Sequence, residues 1–292
     1  MSSDATAGQT PDLYGQLHPV ETPELLESKL EEFRQELDKL NPEETEWATQ
    51  AAEKCPSLTE SGNDFKIMFL RCEVFNADLA AARYAAYWKK RVAIFGPEKA
   101  FLPLTLDAAL DDPKIQTALN MGVMTLMEGV HDPSGRAIVY FDPSQYDKTK
   151  YTLETVLPAF WYVLHAALGT ESAQQKGVIF IGDPGRASMS QFDRAVAKEL
   201  IGSLKGALPI RLSAFHMVHP PAFAKVVLPV IKLFMSDRMK KRICIHSGKE
   251  DKVLETLQAK YGLTKEMLPT TIGGTYKVQH AEWVQKRSSS GL

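Results

Sequence analysis

At 292 residues, with 44% hydrophobic and 24% charged residues and a net charge of −2, the chain has ordinary globular composition and room for one or two domains with a large core. That balance argues against a general nucleic-acid binder, which would carry a broad basic face. Cys55, Cys72 and Cys244 lie far apart and form no CxxC pair, which fits a reducing compartment and gives no disulfide or metal signal. No run approaches the roughly 20 apolar residues of a membrane span. The start, MSSDATAGQT, lacks a basic-then-apolar signal pattern, and the final Ser-Gly-Leu lacks the basic middle residue of a peroxisomal address. A soluble, cytoplasmic protein is expected.

Residues 1–20 are small, polar and punctuated by Pro and Gly, the composition of a disordered leader. From Pro23 a helix is expected, because Leu26, Leu30, Phe33, Leu37 and Leu40 step by four and three. Between Glu21 and Lys54 stand eleven acids and four bases, a solvated acidic face. Asp64 is placed to cap a helix carrying Phe65, Met68 and Phe69, and Asn76 with Asp78 opens a second, alanine-rich helix that ends in Tyr87, Trp88 and three bases.

At this point the sequence acquires a resemblance. Phe-x-x-x-Phe-Leu-Arg-x-x-x-Phe at Phe65 to Phe75, followed by a helix ending Tyr-Trp-Lys-Lys-Arg, is similar to the N-terminal helices of the CRAL-TRIO (Sec14-like) lipid-transfer family. The resemblance continues in order to about residue 276. Gly135-Arg136-Ala137-Ile138-Val139-Tyr140 resembles that family's first strand, with alanine in place of proline. A long apolar helix is expected over Tyr151 to Glu171, a buried central strand over Gly177 to Gly182, and an amphipathic helix through Phe192, Val196, Leu200 and Leu204. Leu268-Pro269 and Gly273-Gly274-Thr275 match the closing motif, with Thr271 where the family usually has Glu.

Between the last two motifs lies the most informative stretch. Arg211 to Val218 has strand composition and stops at Pro220-Pro221. Phe223, Val226, Val227, Val230, Ile231, Phe234 and Met235 then mark a helix, Leu228 and Leu233 lie off that stripe, and ICIH returns as a strand. Pro229 should kink the helix. From Lys225 to Arg242 there are six bases and one acid. Taken alone, a helix apolar on two sides suits either a buried layer or a lid that meets an anionic membrane. The resemblance implies the lid: a gate at about residues 221–236 over a lipid cavity lined by Phe160, Phe180, Val196, Phe215, Phe223, Val227, Ile231 and Phe234.

It also implies a headgroup and membrane-binding set of Arg71, Arg211, Lys232, Arg238 and Arg242, the arginines suited to bidentate phosphate contact. Ile210 stands where the phosphatidylinositol-transfer branch places Glu, which favours a different hydrophobic cargo. No set of residues has catalytic spacing. Gly182-Asp183-Pro184-Gly185-Arg186 lacks the glycine spacing of a phosphate loop, His216 and His219 have no acid or Cys beside them, and Ser188 lacks a nucleophile elbow.

The expectation is therefore an α/β protein with a mostly parallel sheet and no enzymatic activity, metal or cofactor. It comprises a leader (1–20), a helical N-terminal subdomain (21–105), a CRAL-TRIO lipid-binding domain (106–278) and a tail (279–292). It would bind one hydrophobic lipid and transfer or present it at phosphoinositide or other anionic membranes, by transient peripheral association. The alternative is a lipid-filled scaffold or sensor that works through a protein partner on its acidic N-terminal helices.

Overall fold

The computed structural model describes residues 10–59 and 64–292. The chain divides into two compact units, residues 1–103 with 202–211, and residues 104–201 with 212–292. The first nine residues of the expected leader lie outside the described residues. Within residues 10–20, the Asp12 carboxylate accepts from the Tyr14 and Gln16 backbone and pairs with His18 at 2.7 Å, and Gln16 is buried.

The first unit is helical: α1 (Pro23–Lys39), α2 (Pro42–Lys54), α3 (Pro56–Thr59), α4 (Asp64–Cys72) and α5 (Ala77–Lys99). Thr22 and Asn76 cap α1 and α5 by accepting from Leu25 and Leu79, and Pro23 occupies the first turn of α1, where its missing N–H costs nothing. The helix that opens at Asn76 runs past the basic trio and breaks its regular geometry only at Gly96. Its interior is a cluster of rings in edge-to-face contact, with Phe69 5.2 Å from Tyr84, Phe65 5.5 Å from Tyr87 and Tyr87 5.2 Å from Trp88. The Arg83 guanidinium donates to the Leu204, Lys205 and Leu208 carbonyls, satisfying acceptors that a helix end leaves open.

The second unit is built on a five-stranded sheet in the order β1 (Met124–His131), β2 (Ala137–Phe141), β3 (Val178–Gly182), β4 (Leu212–Val218), β5 (Ile243–His246). The β1–β2 pair is antiparallel and the other pairs are parallel. Connecting helices are α6 (Pro113–Asn120), α7 (Leu153–Ala166), α8 (Glu171–Lys176), α9 (Arg194–Gly206), α10 (Ala224–Phe234) and α11 (Asp237–Lys240); α12 (Glu250–Tyr261) and α13 (His280–Ser289) follow the sheet. Every residue of β3 is buried, as its continuous apolar run requires.

Most expected elements fall where they were read, and the details differ at a few places. β1 precedes the strand read as first. The long helix ends at Ala166, and α8 is separate. Phe192 stands outside α9. α10 runs from Ala224 to Phe234 with Pro229 inside it. Residues 279–292, read as a tail, mostly form α13, whose Trp283 is buried and whose Arg287 donates to the Tyr162 hydroxyl.

Candidate lipid site and gate

Strands β2 to β5 advance in one direction across the sheet. Right-handed crossovers therefore put α7, α10 and residues 194–201 of α9 on one face. Register assigns Phe141, Phe180, Phe215, Met217, Ile243 and Ile245 to a common face. It is the helix-covered one, because Phe160 of α7 meets the Tyr146 ring at 6.3 Å and Tyr146 meets Phe141 at 6.4 Å. Phe215 stacks on Phe180 with centroids 6.0 Å apart and planes 17° apart. Gly182 makes room for it, since a Cβ there would come within 2.9 Å of the Phe215 ring.

Two kinds of burial coexist on this face. Phe160, Phe180 and Val196 are buried, but Phe215, Met217 and Ile243 are only half-buried and Ile245 is 50% exposed. On α10, Val227 alone is buried. Phe223, Ile231 and Phe234 are half-buried, while Val226 and Leu233 are 61% and 75% exposed. The Arg194 guanidinium lies 6.0 Å over the Phe234 ring, a cation–π contact between the start of α9 and the end of α10. The eight residues expected to line the cavity thus lie on α7, β3, β4, the start of α9 and the run into and along α10.

The five basic residues fall into two environments. Arg71 is buried and forms a two-pronged ion pair with Glu21, Nε to Oε1 at 2.9 Å and a terminal nitrogen to Oε2 at 2.7 Å. Arg211 is buried and donates to the Leu17 carbonyl at 2.8 Å. Arg238 is exposed, and Lys232 and Arg242 are half-buried, on or just after α10 and α11.

Four features lie beyond the sequence reading. The Tyr140 hydroxyl joins Asp183 at 3.0 Å to Thr271 at 2.9 Å, tying the ends of β2 and β3 to the closing motif. Gly274 in that motif admits no side chain, because a Cβ would sit 1.9 Å from the Leu268 carbonyl oxygen. Arg186 pairs with Asp142 and Asp183, so the loop after β3 presents carboxylates where a phosphate would need donors. His216 is buried with its Nδ1 2.9 Å from His246 Nε2, and both rings lie edge-on to Tyr261. Among the described residues no group of three or more His, Cys, Asp or Glu side chains converges as a metal site, and no helix is long and apolar enough to cross a membrane.

Comparison with known proteins settles the ancestry of this arrangement. The CRAL/TRIO domain family matches residues 120–274, more than half of the chain. The chain belongs to that family. It is 28% identical to mouse alpha-tocopherol transfer protein-like over 233 residues, covering 78% of this chain and 63% of the relative. It is also 25% identical to clavesin-1 of Xenopus laevis over 214 residues, covering 72% of this chain and 60% of the relative. A third match, to human tyrosine-protein phosphatase non-receptor type 9, is 28% identical over 169 residues and takes in 58% of this chain but only 27% of that protein. The chain therefore spans less than two-thirds of these curated relatives. The crystal structure of Sfh5 superposes with a TM-score of 0.54 at 13% identity, covering 93% of this chain and 99% of that one, which shows a shared fold. Lipid binding is the property that membership of the CRAL/TRIO family brings to this sheet and its helices.

Proposed function

We propose that the chain is a non-enzymatic carrier that binds one hydrophobic lipid beneath α10 and transfers or presents it at anionic membranes, phosphoinositide-bearing ones included. The observation that carries this reading is α10 itself. Its eleven residues, AKVVLPVIKLF, contain two bases and no acid, yet Val227 is the one residue it buries. Each large apolar side chain left in water forgoes about 1.5–3 kcal/mol. A helix of this composition is economical only where other apolar matter covers it, lipid on the sheet side and a bilayer on the Val226 and Leu233 side.

The charges supply the docking step. Lys232, Arg238 and Arg242, with the exposed Lys240 and Lys241, place cations at the end of α10 and through α11. Arg71 and Arg211 already have protein partners, so their contact with a headgroup would require exchange of Glu21 and of the Leu17 carbonyl. One relative is named for alpha-tocopherol transfer, which supports a compact hydrophobic cargo of that kind. The protein would work from the cytoplasm and bind membranes transiently.

The test is lipid movement between donor and acceptor vesicles. The protein should accelerate it, and Arg238→Glu with Arg242→Glu should slow transfer to phosphoinositide-bearing acceptors at least five-fold, less so at high salt. Equal transfer by the double variant at low salt would remove these residues from docking. Stoichiometric lipid without any transfer would favour the scaffold reading, with the acidic helices α1 and α2 as the partner surface.

A further inference from the structure

The chain from Asp12 to the start of α1 is ordered without helix or strand. Its head is a closed turn. The Asp12 N–H donates to the Gln16 carbonyl at 2.9 Å, the Gly15 N–H donates to the Asp12 carbonyl at 2.8 Å, and Gly15 takes a φ of 68° that lets the chain reverse. The Asp12 carboxylate fills the turn, accepting from the Tyr14 and Gln16 amides and pairing with His18. Beyond it, Pro19 disfavours a helical turn at His18. Two residues then reach buried arginines: the Leu17 carbonyl accepts from Arg211, and the Glu21 carboxylate takes both prongs of Arg71. Both arginines belong to the same compact unit as this segment. Leu17 and Glu21 stand four residues apart, so a stretch of chain no longer than about 14 Å contacts both guanidinium groups.

A segment without a ladder of its own opens at lower free energy than the helices beneath it. Arg71 is 7% exposed and Arg211 is 4% exposed, so neither meets an outside anion while the segment is in place. In water Glu21 competes well for Arg71 because it is tethered and its effective concentration is high. A phosphorylated headgroup brings more negative charge and three acceptor oxygens. It also replaces the neutral Leu17 carbonyl with a charged acceptor, whose hydrogen bonds are roughly twice as strong. The released segment has a destination as well. Leu13 is 50% and Val20 73% exposed, apolar side chains that stand in water while the segment is closed and gain cover in a bilayer.

We propose that residues 12–21 are an autoinhibitory strap. Glu21 and the Leu17 carbonyl occupy Arg71 and Arg211 when the protein is free in water, and a membrane bearing phosphorylated headgroups displaces them. Membrane binding then has two stages: contact through the always-exposed cations after α10, and release of the strap, which adds two arginines to the contact. This inference rests on the docking reading above and adds its regulation.

The experiment is binding of the full chain to phosphatidylcholine vesicles with and without phosphatidylinositol bisphosphate, with amide hydrogen exchange followed over residues 12–21. Glu21→Gln unties the strap from Arg71. Asp12→Ala opens its turn without touching either arginine, and carries the test if Glu21→Gln does not fold. Each variant should bind the bisphosphate vesicles about five-fold more tightly than wild type, the scale of one cation reaching an anionic surface. Glu27→Gln, an equal change of charge at an exposed position of α1, should bind as wild type does. Adding Arg71→Met to Asp12→Ala should cancel the gain. In the wild type, the Tyr14 and Gln16 amides should exchange slowly in solution and faster on the bisphosphate vesicles. Equal binding by wild type, Glu21→Gln and Asp12→Ala, or an equal gain in Glu27→Gln, would overturn the strap and leave docking through Arg238 and Arg242 standing. A gain for soluble inositol trisphosphate with none for vesicles would overturn the membrane as the releasing surface. If neither wild type nor any variant binds the vesicles, the docking reading falls first and takes the strap with it.

Discussion

A guanidinium inside a hydrophobic core persists only where other groups replace its water. Arg91 is 1% exposed. It donates to the Tyr87 hydroxyl and the Leu102 carbonyl, and lies 5.2 Å over Trp88, 5.8 Å over Tyr87 and 5.9 Å over Phe95. Its Nε has no hydrogen-bond partner among the described residues. The ring faces and two acceptors offset only part of the desolvation of a buried cation, so the charge itself contributes little and the volume contributes much. Arg91→Met should leave unfolding free energy within about 1 kcal/mol of wild type, whereas Arg91→Ala should lose about 2–5 kcal/mol through the space it opens. Urea denaturation of the two variants decides it. Equal losses would mean that the cation, not its bulk, holds this core.

At the scale of elements, α10 was legible because seven apolar side chains repeat at helical spacing and two prolines stop the strand before it. β3 and the Leu-Pro…Gly-Gly-Thr turn were legible for equally local reasons. β1 was not: its register slips between Leu126 and His131, and its burial loses alternation over Glu128 to His131. Arg71 and Arg211 look like free cations in sequence, since a partner fifty or more residues away leaves no local trace. Pro229 is exposed on a helix that continues through it. It still withholds one backbone donor, which weakens the helix proposed as a gate. Pro229→Ala restores that N–H and should stiffen α10, raising the melting temperature by a few degrees and slowing lipid exchange between vesicles. Faster exchange at a higher melting temperature would show that gate opening does not involve unwinding this helix.

For the molecule as a whole, acid stability should be set in large part by one hidden pair. His216 and His246 are buried side by side on β4 and β5, with Tyr261 edge-on, and the sheet excludes the water that an imidazolium would need. Burial holds His216 down to about 3, with His246 and Lys260 opposing its charge. Burial also holds His246 down to about 4, with Lys260 and His219 adding to the effect. Both folded values lie below the ordinary imidazole value of about 6.5, so as pH falls it is the unfolded chain that takes up protons. The stabilisation is whole above about pH 6.5 and is lost progressively toward the folded values. At pH 5 each imidazole should have forfeited about 2 kcal/mol. His246→Gln keeps a hydrogen-bonding side chain beside His216 but removes one titrating ring. Unfolding free energies of wild type and variant, measured in urea at pH 7 and pH 5, should therefore converge as the pH falls, the wild type losing about 2 kcal/mol more. Carboxylate titration contributes equally to both proteins and cancels in that difference. Parallel losses would show that these rings titrate alike in the folded and unfolded chain, and that the acid limit lies with the carboxylates.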